Sequence, residues 1–321
     1  MIDRRHFLLS ATAAAGATPA FAQAAWPSKP ISIVILFAAG SGTDTMARIF
    51  AEKLSAAIGQ PVTVDNKPGA GGTIAGAFVA RAAPDGHTLM FTSNTSHAAA
   101  GALIKNVPYD PVKDFECIGL VGLVPFVMVA HPSMPFNDVK EFVAHARANP
   151  GKLSYGAGNS TAHVAGETLK RMTGIDVVNV PYKSVPPALN DLLSGTLQYI
   201  FADIGTVQPH IKAGRIKAIT SISSQRSPNL PELPTLHEQG VAFDLDGWYA
   251  LFAPARTPRP VIDRLNAILR AEYSTPEMQQ RMRDFNVILK LGSPEELATF
   301  QKSEIEKWTR LAREAGIQPE G

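Results

Sequence analysis

Three times in this chain a strand-like segment runs through a glycine-rich turn straight into an amphipathic helix. The turns are Ala38-Ala39-Gly40-Ser41-Gly42-Thr43, before a helix that starts near Asp44; Pro68-Gly69-Ala70-Gly71-Gly72, before Thr73; and Gly156-Ala157-Gly158-Asn159-Ser160, before Thr161. Strands that alternate with helices in this way argue for parallel pairing, with the sheet covered on both faces. Each turn also bares a helix N-terminus, with unpaired N–H groups and roughly half a positive charge. Glycine lets a ligand come close to that backbone. Three such ends, in a chain with no complete catalytic set, point to capture of a small anion and not to its transformation.

The alternation opens with strand 31–37, helix 44–58, strand 61–66, helix 72–82 and strand 88–92. It restarts at strand 126–130 and continues through helix 137–148, strand 153–155, helix 161–173, strand 177–180, helix 187–194, strand 197–201, helix 207–213 and strand 216–221. After the proline-rich loop 224–234, a strand-like segment, 248–253, leads only into helices, at 260–273, 276–285 and 294–315. About 300 residues are too many for one ordinary core, and three helices without strands need a sheet to pack on. The economical arrangement returns them to the first unit. Residues 23–124 and 248–321 then form one lobe and 125–247 the other. The chain crosses near Val124 and near Gly247, making a hinge with a ligand cleft between two α/β lobes, each a mainly parallel sheet with helices on both faces.

The N-terminus reads as a targeting segment. Arg4-Arg5-His6-Phe7-Leu8-Leu9 begins a basic region, an apolar stretch follows to Ala17, and Ala20-Phe21-Ala22 forms a small-residue cleavage site. Residues 1–22 are expected to leave as a signal peptide, with cleavage near Ala22 and Gln23. The Arg-Arg-x-Phe-Leu core fits a twin-arginine signal and a Sec signal alike. The apolar stretch is too short to span a bilayer, so a periplasmic, exported protein is expected. Lone Cys117 lies far from the cleavage site and permits no internal disulfide. Loss of Asp3, Arg4 and Arg5 takes the net charge from +2 to +1, too weak for a nucleic-acid or membrane-surface role.

The polar residues beside the turns are the candidate site. At Ala39, Gly40, Ser41, Gly42 and Thr43, backbone N–H groups and two hydroxyls can cradle a carboxylate; the alternative is a tight turn with Thr43 as N-cap. Asp44 suits the first helical turn electrostatically. The 68–72 turn can approach a ligand or serve close helix packing, and none of the turns fits a dinucleotide fingerprint or P-loop. Gly158, Asn159, Ser160, Thr161 and His163 repeat the arrangement in the second unit. Ser93, Asn94 and Thr95 end a strand at the same sheet edge, and Asp203 follows another, where its carboxylate can accept from a ligand amine or hydroxyl or cap a helix. Trp248 and Tyr249 read as hinge packing. Gly158-Asn159-Ser160-Thr161-Ala162 imitates a nucleophile elbow with Ser160 as nucleophile, but alanine replaces the last glycine and no His and Asp follow in recognisable context. His163 and Glu167 could share a metal, but no second pair completes a site. No metal or other cofactor is expected.

The motifs Gly40-Ser41-Gly42-Thr43-Asp44, Asp65-Asn66-Lys67-Pro68-Gly69-Ala70-Gly71-Gly72, Pro84-Asp85-Gly86-His87-Thr88-Leu89, Tyr109-Asp110-Pro111-Val112-Lys113-Asp114-Phe115, Pro150-Gly151-Lys152-Leu153, Val180-Pro181-Tyr182-Lys183 and Leu233-Pro234-Thr235 with Glu238 and Gly240 run through the whole mature chain. In this order they resemble the Bug, or TctC-like, extracytoplasmic solute receptors of tripartite tricarboxylate transporters. The resemblance implies a type II periplasmic binding protein, a two-lobe "Venus flytrap" that holds a carboxylated solute and delivers it to membrane permease subunits, working as a monomer and not as an enzyme. It implies carboxylate contact by Ala39–Thr43 and by Gly158–His163. The chain departs from the family pattern at Ala39-Gly40-Ser41-Gly42, at Ser184 and at Gln198. Two other functions compete with delivery to a transporter: hydrolysis at Ser160, and presentation of a ligand to a sensor kinase.

Overall fold

The computed structural model describes residues 26–320, so the expected signal peptide and its cleavage point lie outside the described residues. In chain order the strands are β1 (Ile31–Ile35), β2 (Val62–Asn66), β3 (Thr88–Ser93), β4 (Phe115–Val124), β5 (Phe126–Ala130), β6 (Ser154–Ala157), β7 (Val178–Pro181), β8 (Tyr199–Asp203), β9 (Lys217–Ser221), β10 (Gly247–Pro254) and β11 (Ile288–Leu289). The helices are α1 (Gly42–Ile58), α2 (Thr73–Ala80), α3 (Ala100–Leu103), α4 (Val139–Ala148), α5 (Ser160–Thr173), α6 (Val185–Leu193), α7 (Ile204–Lys212), α8 (Arg259–Tyr273), α9 (Pro276–Asp284) and α10 (Pro294–Ala315).

The strands form two sheets, one ordered β11-β4-β10-β3-β1-β2 and the other β7-β6-β8-β5-β9. Each sheet with its helices is a lobe. Both sheets are mixed, where the alternation suggested mainly parallel ones. β1 pairs in parallel with β2 and β3, and β6 with β7 and β8, but β10 runs antiparallel to β3 and β4, and β5 antiparallel to β8 and β9. The cause is the double crossing. β1, β3, β4, β6 and β8 all end at the interlobe side, whereas β5 and β10 enter a lobe there and must run the opposite way.

β4 was absent from the alternation read in the sequence. Gly119 and Gly122 interrupt its apolar run, and the structure shows their use: a Cβ at Gly119 would meet the Asn266 and Leu269 side chains on α8, and one at Gly122 would meet the backbone of Ile288. The helices follow local chemistry more closely. α1 is capped by Ser41, whose Oγ accepts from the Asp44 N–H, and stops at Gly59 in the left-handed region (φ 68). Its Met46, Ile49, Phe50 and Leu54 are buried. α10 opens with a capping box, Ser293 with Glu296, and buries Leu297, Gln301, Glu304, Trp308, Ala312 and Ala315, a stripe of helical period packed on β4.

Candidate functional site

The lobes meet where the 38–43 turn and the start of α5 converge, and two adjoining chambers lie between them. Both are bordered by Gly42, Val124, Asp203 and Tyr249. The inner chamber, about 20 Å3, is bounded by polar groups of both lobes, among them Ser41, Thr43, Ser93, Asn159 and Thr161, and by the apolar Phe37, Phe126 and Val185. The outer chamber, about 150 Å3, is bordered by Gly40, Thr45 and Met46 from α1 and the turn before it, by Gly205 and Thr206 from α7, and by Phe285 and Val287 from the loop after α9.

In the first turn the hydrogen bonds sort the residues. Ser41, not Thr43, is the N-cap, and the helix starts at Gly42. Gly40 N–H donates to Asp44 Oδ2 at 3.0 Å. Asp44 also accepts from Arg48 Nε at 3.1 Å and Asn66 Nδ2 at 3.0 Å. Burial alone would raise the Asp44 carboxyl, but these bonds outweigh it and hold the group below its ordinary value. Asp44 is thus the brace of the turn. The N–H groups of Gly42 and Thr43, at the first two helical positions, have no intrahelical partner, and both residues border the inner chamber. Ala39 is exposed and borders neither chamber.

In the second lobe Asn159 caps α5, its Oδ1 accepting from Ala162 N–H at 2.9 Å. Asn94, at the end of β3, donates from Nδ2 to Ser160 Oγ and to Thr161 Oγ1, both at 3.0 Å, and its Oδ1 accepts from Trp248 N–H at 3.3 Å. Thr95 Oγ1 lies 2.9 Å from Ser160 Oγ. Ser160 therefore joins the lobes, and among the described residues no histidine or aspartate bonds to it. Gly158 is a packing position: a Cβ there would lie 2.5 Å from the Ser184 carbonyl carbon. His163 borders neither chamber, and its charged neighbours are Glu167, Glu320 and Lys170. It lies two residues beyond Thr161, about 200° around the helix. Burial holds its imidazole below the ordinary value.

Asp203 combines the two roles open to it. It caps α7, Oδ1 accepting from Thr206 N–H at 2.9 Å and Thr206 Oγ1 at 2.8 Å, and it borders both chambers. Burial pushes its carboxyl above the ordinary value, although the Thr206 bonds pull the other way. Tyr249, read from sequence as hinge packing, also faces the cleft. A Cβ at Gly42 would lie 2.5 Å from its hydroxyl and 2.8 Å from Asp203 Oδ1. Thr95, read with Ser93 and Asn94 at the end of the same strand, borders the inner chamber. Thr206, Phe285 and Val287 went unread; Thr206 lies just beyond a polar strand end that was read, whereas nothing in the sequence near Phe285 marks that loop.

The 68–72 turn borders neither chamber. Gly69, Ala70, Gly71 and Gly72 all have positive φ, and a Cβ at Gly72 would lie 2.6 Å from Leu36 Cδ1. The turn packs α2 onto the first sheet. No lysine, arginine or histidine borders either chamber, and among the described residues no cluster of His, Cys, Asp and Glu is spaced for a metal.

The family model described as the tripartite tricarboxylate transporter family receptor matches residues 46–317. A curated relative from Pseudomonas sp. (strain P51), the UPF0065 protein in the tcbD-tcbE intergenic region, is 36% identical over 291 residues, which is 89% of this chain and 86% of the relative. Among solved structures, R. palustris Rpa4515 with adipate superposes with a TM-score of 0.90 at 31% identity, covering 92% of this chain and 100% of that one. The periplasmic binding protein BugD superposes with a TM-score of 0.87 at 35% identity, covering 92% and 100%.

Proposed function

The chain belongs to the tripartite tricarboxylate transporter family receptors, solute-binding proteins and not enzymes, and on that premise we propose that it captures a small carboxylated organic acid between its lobes. It does so in the periplasm, after removal of residues 1–22, and as a monomer hands the acid to cognate permease subunits in the membrane. The lobes, 23–124 with 248–321 and 125–247, swing about the crossings at Val124–Phe126 and Asp246–Gly247.

The observation that supports this reading most is the convergence of two helix N-termini, those of α1 and α5, on one small chamber bordered by Gly42, Thr43, Asn159 and Thr161. Neutral donors and two helix dipoles hold an anion without a cation. The sequence motif that suggested Ser160 as a nucleophile has a different use, since that hydroxyl bonds to Asn94 and Thr95 across the lobes. Calorimetric titration of the mature chain with a panel of organic acids tests the proposal, paired with small-angle scattering. Saturable one-to-one binding with a smaller radius of gyration in the bound state is expected. Heat without any change of radius would speak against a hinged trap.

A further inference from the structure

The two chambers offer a ligand different chemistry, and the difference names the class of acid; this step rests on the carboxylate-capture reading above. Around the inner chamber, donors remain free. Gly42 and Thr43 N–H point out of the first turn of α1, and Asn159 uses Oδ1 for its cap and keeps Nδ2. Ser41 Oγ accepts from Asp44 N–H, Ser93 Oγ from Thr95 N–H and Thr161 Oγ1 from Asn94 Nδ2, so each hydroxyl keeps its own proton to give.

Around the outer chamber the donors are largely spent. Gly40 N–H is held by Asp44, Thr206 N–H and Oγ1 by Asp203, and Thr45 Oγ1 by the Ser41 carbonyl at 3.2 Å. What remains is the Gly42 N–H, shared with the inner chamber, the Gly205 N–H, in a helix end already capped by the Asp203 carboxylate, and the Tyr249 hydroxyl at the partition. The other walls are apolar: Met46, Val124, Phe285 and Val287. A second carboxylate placed there would lose its water, meet no cation and face the acid Asp203. The chamber's volume, about 150 Å3, is that of a cavity that takes a benzene ring.

We propose that the ligand is a monocarboxylate whose carboxylate lies in the inner chamber and whose uncharged, apolar tail, no larger than a benzene ring or a chain of about six carbons, fills the outer one. The chain would then differ in ligand class from the relative solved with adipate. Calorimetry on the mature protein with matched pairs, hexanoate against adipate and benzoate against terephthalate, tests it at neutral pH. The monoacid is expected to bind at least tenfold more tightly than the diacid of one pair or both. A diacid that binds as tightly as its monoacid, or more so, in both pairs overturns this inference and leaves acid capture standing. If none of the four acids binds, the inference falls; if no acid in a broader panel binds either, acid capture falls with it. Thr45→Lys places a cation on the outer wall and is expected to move the ratio at least tenfold toward the diacid. An unchanged ratio in a folded variant would show that the far end of the ligand lies elsewhere.

Discussion

Asn94 Nδ2 donates to Thr161 Oγ1 at 3.0 Å, tying the end of β3 in the first lobe to the first turn of α5 in the second. The same amide nitrogen reaches Ser160, and the amide oxygen accepts from the N–H of Trp248, where the chain re-enters the first lobe. One side chain that is 2% exposed therefore ties together the end of β3, the start of α5 and the second crossing.

Replacing Asn94 with Ala leaves two hydroxyls and one backbone N–H without this partner. Each buried group left unsatisfied costs about 1–3 kcal/mol, less where water reaches it. Asn94→Ala is expected to lower the unfolding free energy by about 2–4 kcal/mol in urea titration, and to enlarge the radius of gyration of the ligand-saturated protein by scattering. A wild-type radius would show that Asn94 does not hold the lobes together.

Thr161 tests where affinity comes from. No cation borders the chambers, so binding rests on short-range neutral donors, which salt screens poorly in a closed cleft. A hydrogen bond to a charged group contributes about 1.5–3 kcal/mol. Thr161→Val is expected to weaken binding by roughly tenfold or more, whereas raising salt from about 0.05 to 0.5 M changes affinity far less. Steep salt dependence with a silent Thr161→Val would instead place a cationic side chain on the ligand.

What could be read in the sequence was what is local. Glycine and small polar residues at strand ends mark Gly42, Thr43, Asn94, Asn159 and Thr161, because strand, turn and helix start lie within a few residues. Asp203 was visible for the same reason, and its two uses could not be separated because capping and cleft-facing need the same position. β4 was missed because its glycines serve partners far along the chain, on α8 and β11. Phe285 and Val287 reach the cleft only because the loop after α9 folds over Gly205, an arrangement no local pattern encodes. His163 shares a helical face with Ser160, three residues before it, so local geometry could not set it aside; only the fold shows that it borders neither chamber.

Gly42 separates space from conformation. A Cβ there collides with the Tyr249 hydroxyl and Asp203 Oδ1, and neither buried group can swing away freely. In a helix, alanine is favoured over glycine by about 1 kcal/mol. Forcing a methyl group into this filled space costs about 1–3 kcal/mol, which outweighs that preference, so Gly42→Ala is expected to lower ligand affinity at least tenfold and also to lower the melting temperature of the free protein. Unchanged affinity would move the ligand away from this turn.

Asp203 carries a pH signature. Its carboxyl titrates near 3.8 when unfolded, and burial raises it in the fold. Folding thus favours the neutral acid, so this contribution to stability is complete below about pH 4 and is lost as pH rises through the folded-state value. Asparagine caps helices as well as aspartate does. Asp203→Asn is expected to be more stable than the parent by a margin that widens from pH 4 to pH 7 in urea unfolding. A margin that narrows would mean the fold holds the anion. The substitution also removes the anionic partner that a ligand amine would meet, so amino-bearing acids should fall in rank against plain acids in calorimetry.

The last expectation concerns the support behind the crossing. Glu304, buried on α10, accepts at Oε2 from Trp248 Nε1 at 2.9 Å and from Trp308 Nε1 at 3.1 Å, while Lys307 lies 3.4 Å from Oε1. The carboxylate thereby fixes the indole of Trp248, whose backbone N–H meets Asn94. Glu304→Ala leaves two buried indole N–H groups without an acceptor, and at about 1–3 kcal/mol for each the unfolding free energy should fall by about 2–6 kcal/mol. Glu304→Gln keeps an acceptor oxygen in the same place and should cost about 1 kcal/mol, the difference between a charged and a neutral acceptor. Urea unfolding followed by tryptophan fluorescence measures both. If Gln is as damaging as Ala, the negative charge beside Lys307, and not the shared acceptor, is what holds the crossing.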